Sequence, residues 1–446
     1  MTSPHSADLL SLFQTIAPPV FFEELCREQG YHGRRGIFTV PVVVWLMIRQ
    51  RWQGGGSLAM AVQTLVHSGS LLLRSLDPCK RVRENKISTG TGGYCQARQK
   101  LPTLLVSHVA DHIFEQLRAH VPADGPPVFV IDGTSLRLRH EGDLVGAFPP
   151  GHNQHGVNHW PVLRVVAFHD AHTGLAARPS WGPYYGPQAV SEQALAEQAL
   201  TRLPSDAVVM ADGNFGIFAF AHAVQQSHRQ MILRLTLARA RKLLGALCNG
   251  THRQLAWAPS AWDRKAHPEL PREASVTGWV IVCANPARPH EKLCLFTTRE
   301  GTPEEILRLY KLRWNIETDL RSLKRTVDLH QIYSKAVAMV EKEILMAVAA
   351  YNLTRAVMAL AAQRAGVAPR RLSFAGVQAA VLAALPGLEQ AASDEEYSQC
   401  MDRLLHYAAQ AVLPKRTRAR SYSREIWGRG GHFPYRRSVP ITESTS

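Results

Sequence analysis

Three carboxylates carry the chemical promise of this sequence. Asp132 follows an apolar run in FVIDGTSL, Asp212 follows another in VVMADGNFG, and Glu317 sits in the charged segment LRWNIETDLRSLK. Each apolar run reads as a strand ending at its aspartate, and the glutamate falls on a predicted helix. Carboxylates at strand ends and on a neighbouring helix converge at one edge of a sheet. Together they are hard oxygen ligands suited to one or two Mg²⁺ ions. Two such ions about 3.5–4 Å apart activate water or a 3′-hydroxyl and stabilise the leaving oxygen in phosphoryl transfer. A lone aspartate at a strand end is more often a turn former or a helix cap. The inference therefore rests on the three residues together and on what surrounds them.

The surroundings are most telling around the glutamate. Over residues 302–328 the spacing predicts one long helix. Ile306, Leu309, Leu312, Ile316, Leu320, Leu323 and Val327 recur every three or four positions and form an apolar stripe. Tyr310, Arg313, Glu317, Arg321 and Lys324 recur at the same intervals about a quarter-turn away. Thr302 is the expected N-cap, Pro303 takes the first helical position, and Glu304 and Glu305 suit the positive end of the helix dipole. Such a helix buries one flank and presents a carboxylate among cations on another. The alternative is a solvated face held by ion pairs four residues apart.

The aspartates belong to a segment of different texture. From residue 126 to 237 the predicted order is β, β, β, α, β, α, β, with a Ser-capped helix over 191–203. Adjacent antiparallel strands followed by strand–helix alternation indicate an α/β or α+β core with a mixed sheet. Residues 238–300 interrupt it with Arg239, Arg241 and Lys242, a Pro-rich loop, strand-like runs, and Trp257, Trp262 and Trp279. The first 120 residues read as helical, over 13–27, 40–52, 58–65 and 104–119. Their basic clusters (Arg34–Arg35, Arg49 with Arg51, 80–86, Arg98 with Lys100) suit phosphate contacts. Helical segments are again expected over 344–366 and 388–412.

A formal charge of +15 points to a polyanionic partner, nucleic acid first and an anionic membrane surface second. Apolar residues make up 46% of the chain, which excludes a disordered protein. The opening residues show no secretory leader pattern. Residues 344–362 are long enough to span a membrane, but Asn352, Thr354 and Arg355 at the middle predict a buried helix instead. The seven cysteines are scattered and show no CxxC, as expected for reduced thiols in a cytoplasmic protein. Between 414 and 438, eight basic residues face one acid. Lys415, Arg416, Arg418, Arg420 and Arg424, with Tyr422, Trp427, Phe433 and Tyr435 among and beyond them, suit backbone neutralisation and stacking on DNA.

The spacing Tyr310-x2-Arg313-x3-Glu317-x6-Lys324 resembles the signature around the catalytic glutamate of DDE transposases of the insertion-sequence-four type. The resemblance covers about 125–440. It implies a ribonuclease-H-like mixed-sheet catalytic core (123–237 and 301–340) with a β-rich insertion (238–300). Flanking parts are a helical DNA-binding N-terminal region (1–122), C-terminal helices (341–413) and a basic tail (414–446). It implies that Asp132, Asp212 and Glu317 are the catalytic metal ligands, holding two Mg²⁺ ions that Mn²⁺ can replace. Tyr310, Arg313 and Lys324 would position DNA. The implied activity is cleavage at the ends of a mobile element and joining of the freed 3′-hydroxyl to target DNA. A homodimer would act on double-stranded transposon ends and target in a bacterial, nucleoid-associated setting, without a membrane partner.

Remaining features weigh less. Hairpin formation at the element end would need an aromatic platform for a flipped base. Among the insertion's tryptophans, Trp257 and Trp262 flank Pro259 in an expected loop, whereas Trp279 lies in a strand. His152, His155 and His159 read as a mobile polar loop rather than a zinc site. Asp170 is expected in a hairpin turn. Asp319, two residues from Glu317, faces the other flank of the helix. The glycine runs at 54–56 and 90–93 lack the Lys-Ser/Thr of a nucleotide phosphate loop. Two rival functions remain: a Mg²⁺-dependent nuclease of the same fold without strand joining, and a transposase-derived DNA-binding protein.

Overall fold

The computed structural model describes residues 13, 15–33, 36–74, 80–84, 86–121, 125–154, 156–286, 288–391 and 393–414. Arg34, Arg35, His155 and the tail residues Lys415, Arg416, Arg418, Arg420 and Arg424 lie outside them. Residues 1–412 form one compact unit.

The centre of the sheet follows from three apolar strands. β1 (Val128–Arg137) pairs antiparallel with β3 (Gly156–Asp170), and β3 with β4 (Ser180–Pro183). On its other edge β1 pairs in parallel with β5 (Val208–Ala211), and β5 with β6 (Gln230–Leu235). Helices α8 (Glu192–Leu200) and α9 (Phe218–Gln226) make the crossovers, as parallel strands require. Ser191 caps α8 by accepting from the Ala194 amide. The order β4-β3-β1-β5-β6 is a ribonuclease-H-like mixed sheet. Two strand boundaries differ from the sequence expectation. β1 does not stop at Asp132 but runs on to Arg137, because β3 continues to supply backbone partners there. The sequence expectation puts the return strand at 175–180; the strand formed is Ser180–Pro183, and Ala176 makes only an isolated bridge to His169.

The segment 238–300 extends this sheet. It contains α10 (Leu237–Leu244), β7 (Thr251–Trp257), α11 (Ala261–Ala266), β8 (Val276–Asn285) and β9 (Arg288–Thr297). β9 pairs antiparallel with β6, followed by β8 and β7, so the sheet reaches nine strands with the hairpin strand β2 (Pro150–Asn153). Trp257 is therefore not in a loop. It ends β7 and packs between Phe218 and Phe296, at ring distances of 5.8 and 5.0 Å.

Helices cover the sheet. The N-terminal set is α1 (Pro19–Glu28), α2 (Val40–Trp52), α3 (Leu58–Arg74), α4 (Lys80–Arg83), α5 (Gly92–Lys100) and α6 (Thr103–His120). The segment after α6 leads into β1, and the short α7 (Leu144–Ala147) lies between β1 and β2. Near the C-terminus, α14 (Val337–Ala365) packs against α6 and α2. α14 is long and apolar enough to cross a membrane, yet 89% of its apolar window is buried inside the protein. Its central polar residues explain that. Asn352 exchanges two hydrogen bonds with the Ala176 backbone, both 2.8 Å, as a strand neighbour would. α15 (Phe374–Gln390) carries Pro386 inside it and is followed by α16 (Asp394–Gln410). The sequence places a single helix over 388–412 and leaves 374–387 outside it. Burial of Val377, Val381, Leu385 and Leu388 holds α15 together across its proline.

Burial overturns part of the phosphate-contact reading. Arg49, Arg51 and Arg98 are not surface cations. Arg49 donates to both oxygens of Glu389 on α15, at 2.7 and 2.5 Å. Arg51 and Arg98 both bind Glu343 on α14, at 3.2 and 3.1 Å. α2 is apolar on nearly every side, so its arginines sit inside and each needs a carboxylate. Lys80, Arg81, Lys86 and Lys100 remain exposed.

The predicted long helix over 302–328 is broken into pieces. Thr302 and Glu305 form a capping box, with Pro303 leading α12 (Pro303–Lys311). A 3₁₀ turn (Leu312–Trp314) precedes α13 (Asn315–Arg321), and a π-helical turn (Ser322–Thr326) closes the segment. Ser322 Oγ donates to the Thr318 carbonyl at 3.0 Å, and the Val327 amide reaches back five residues to Ser322. The extra residue per turn keeps Leu323 and Val327 in the core despite the change of pitch.

Removing Glu389 alone leaves Arg49 buried without a partner. Glu389→Ala is expected to cost about 3–5 kcal/mol, whereas Arg49→Met combined with Glu389→Leu recovers most of it. Urea unfolding of both variants checks this. A single variant as stable as the unsubstituted chain would show the pair to be dispensable.

Candidate active site

Strand register sets the distance between the aspartates. Val130 on β1 faces Met210 on β5. Asp132 and Asp212 each stand two residues further along, so alternation puts both side chains on one face of neighbouring strands. Adjacent strands lie about 4.8 Å apart. The parallel pairing ends at Val130 and Met210, and the two aspartates occupy the mouth where β5 departs. Each carboxylate is half-buried and accepts from a backbone amide just after it in the chain. Asp132 accepts from the Gly133 amide at 2.8 Å, and Asp212 from the Asn214 amide at 2.9 Å.

A third carboxylate stands here that sequence reasoning missed. Glu192, the first residue of α8, accepts from Asn214 Nδ2 at 2.6 Å. It lies so close over Gly133 that a Cβ there would fall 2.4 Å from its Oε1. A glycine directly after the first aspartate was the available signal. Burial first, then the charges of Asp212 and Glu192, push the Asp132 carboxyl up to about 6, against opposing contributions from the Gly133 amide and Arg313.

The Tyr–Arg–Glu–Lys set is spread along the same edge. Tyr310 is buried rather than presented on an open face, and packs with Ile306, Ile316 and Leu320 beneath the sheet. Burial pushes its phenol up to about 12, with Arg313, Arg234 and Asp212 as charged neighbours. Arg313 is half-buried, 5.9 Å from the Tyr310 ring and 4.9 Å from that of Trp314. Lys324, on the π turn, donates to Thr134 Oγ1 at 2.9 Å and to the Ser135 carbonyl at 3.3 Å, just beyond Asp132 on β1. Glu317 is exposed on α13, which rests on β1 and β3. Among the described residues no three His, Cys, Asp or Glu side chains are grouped closely enough to hold one metal ion. Asp132, Asp212 and Glu192 thus share electrostatic reach, while Glu317 stands outside that set.

Asp319 shows why α13 sits where it does. Its carboxylate is buried between Arg355 on α14 and Arg370, the latter at 3.0 Å from each oxygen. Arg370 also donates to the carbonyls of Asp170 and His172, at 2.9 and 3.1 Å. Asp170 makes the expected turn, accepting from the amides of His172 and Thr173 at 2.8 and 2.7 Å. Asn315 adds a 3.1 Å bond to the Ala171 carbonyl. One carboxylate on the far flank of α13 therefore ties the Glu317 helix to the end of β3.

The remaining candidates are dispersed. His152 and His159 do not lie in a loop but on the β2–β3 hairpin. Trp262 is 67% exposed on α11, and Trp279 is half-buried beside His252. Trp314, 54% exposed, lies 4.9 Å from the Arg313 guanidinium. The side-by-side, half-buried carboxylates of Asp132 and Asp212 are hard oxygen donors that could hold a divalent cation.

The raised Asp132 value has a sign. Below its ordinary value the carboxyl is protonated folded or unfolded. Between there and about 6 only the folded chain keeps the proton, so stability falls as pH rises through that window. Asp132→Asn is therefore expected to raise the melting temperature in chelator at pH 7, with the gain vanishing below about pH 4. A constant difference at both pH values would contradict the assignment.

The sequence model of the transposase DDE domain matches residues 123–353, from the strand leading to Asp132 to the middle of α14. A comparison with curated proteins finds no match. The matched span includes both aspartates, Glu192, and the whole Tyr–Arg–Glu–Lys segment, and it exceeds half of the 446 residues. The chain belongs to the family of transposases built on a DDE domain.

Proposed function

We propose that this protein is a double-strand-break DNA transposase of the insertion-sequence-four type. It would cut at the ends of its element and join the freed 3′-hydroxyls to target DNA. The observation that carries this reading is the parallel register of β1 and β5, which aligns Asp132 with Asp212 inside the matched domain. Divalent metal use is general in the family; two Mg²⁺ ions, replaceable by Mn²⁺, would supply an activated oxygen nucleophile and stabilise the leaving oxygen. Asp132 and Asp212 would hold them. Glu317 is the proposed third ligand and must move toward the aspartates for that role.

The basic partners have distinct tasks in this reading. Arg313 lies 4.9 Å from the Trp314 ring and 5.9 Å from that of Tyr310, and its planar fork would clamp a phosphate at the carboxylate edge. Tyr310 would act from below as the support of Arg313. Lys324 is tethered to β1 beyond Asp132 and offers a point charge to the next phosphate. The exposed cations of the N-terminal helices and the basic tail would hold flanking DNA. Pairing of two ends calls for a homodimer on DNA, at work in the bacterial cytoplasm.

Metal-dependent cleavage of a duplex carrying the element end tests the site. Asp132→Asn, Asp212→Asn and Glu317→Ala are each expected to lower the rate at least 100-fold without loss of DNA binding. A variant that cuts at the unsubstituted rate removes its residue from the metal site. Pre-cut ends separate the transposase from a plain nuclease of the same fold: hydrolysis with no joined product under any condition would leave only the nuclease.

A further inference from the structure

A cavity of about 700 Å³ lies where α2, α3 and α5 meet the start of α14 and the segment that precedes it. None of Asp132, Asp212, Glu192 or Glu317 lines it. The turn after α2 borders it. Gly55 there has a φ of +75°, and a Cβ on it would come within 3.2 Å of both Arg51 Nη2 and the Tyr333 ring. Met47, Met339, Met346 and Leu58 supply apolar wall, and Tyr333 is 48% exposed. A cleft of this volume is the size of a small-molecule site.

Positive charge outnumbers negative in its walls. Arg51 is 4% exposed and Arg98 9%, and the two share the single carboxylate of Glu343, at 3.2 and 3.1 Å. That carboxylate also accepts from Ser334 Oγ at 2.5 Å. Buried Lys342 adds a third cation and donates to the carbonyls of Arg98 and Gln99, at 3.0 and 3.1 Å. The other acids nearby are engaged elsewhere: Asp328 contacts His330 at 3.1 Å, and Glu141 pairs with Lys335. Among the described residues, Arg51 Nη1 and Arg98 Nε have no hydrogen-bond partner. Buried guanidiniums that share one carboxylate and keep open donors are costly until an anion fills them. The guanidinium fork matches phosphate, while methionines and an aromatic ring adapt to an organic body.

We infer that this cavity binds a small phosphate monoester of nucleoside size, with its phosphate on Arg51 and Arg98 and its organic body against Tyr333 and the methionines. The site stands whether or not the chain cuts DNA, because it shares no residue with the carboxylate edge.

Cys95 makes the site testable. It lines the cavity and is half-buried, whereas Cys248 is exposed and lies outside it. The full chain is alkylated with iodoacetamide, and the rate at each cysteine is read by peptide mass spectrometry. Adenosine 5′-monophosphate at roughly ten times its Kd is expected to slow labelling of Cys95 about tenfold, since only the unbound fraction reacts. Cys248 is expected to react at its usual rate, and adenosine to protect neither. Arg98→Gln is expected to raise the nucleotide concentration needed for protection about tenfold, the worth of a charged hydrogen bond. Tyr333→Ala, a change at the exposed rim that leaves the buried ion pairs in place, is expected to raise it severalfold. Cys95 labelling that the nucleotide does not slow, or equal slowing at Cys248, would overturn the site, as would full protection in both variants. Protection by a short DNA duplex but not by the mononucleotide would also overturn it, since the arginines would then hold backbone phosphate.

Discussion

Two carboxylates can share an ion only if their backbones are held at a fixed offset, and here a parallel strand pair imposes it. Val130 opposite Met210 determines that Asp132 and Asp212 emerge side by side. Nearly everything else supports that pairing. β3 keeps β1 extended past Asp132, α8 and α9 make the crossovers, and β6 with β9 buries the outer edge of β5's neighbour. The cost of burying Asp132, and after it the charges of Asp212 and Glu192, appears in its raised proton affinity. The pairing of β1 with β5 holds the two carboxylates side by side against their electrostatic preference, and backbone hydrogen bonding can sustain that.

The third side of the site is governed differently. Glu317 rides on a short helix flanked by a 3₁₀ turn and a π turn, and is anchored from behind through Asp319, Arg355 and Arg370. A buried carboxylate between two guanidiniums is stable only with its partners in place. That anchor couples α13 to α14 and to the end of β3. The π turn in turn brings Lys324 onto β1. Helix irregularities of this kind often mark functional segments, because they let one face change pitch without losing the core.

Some of this was legible in the residues. The N-cap at Thr302, the Ser191 cap, the apolar stripe from Ile306 to Val327, the turn at Asp170 and the strand–helix alternation all depend on contacts within a few positions. The long central helix was legible as buried because Asn352, Thr354 and Arg355 have no place in lipid. What misled were residues whose partners lie far along the chain. Arg49, Arg51 and Arg98 look like surface cations until Glu389 and Glu343, some 250 to 340 positions away, neutralise them. Trp257 looks exposed until β6, β9 and β8 extend the sheet beneath it. His152 and His159 look like loop residues until β2 and β3 pair.

The sequence by itself determined the kinds of groups available and their local frames: two aspartates after apolar runs, a glutamate among basic neighbours at helical spacing, and a strongly positive chain. Those depend on residue type and short-range periodicity alone. Tertiary structure decided which groups meet. It aligned Asp132 with Asp212, added Glu192 across Gly133, buried Tyr310 beneath Arg313, tethered Lys324 to β1, and left Glu317 exposed on its turn. Each of these depends on strand register or on a long-range ion pair, and neither is encoded in the spacing of the residues concerned.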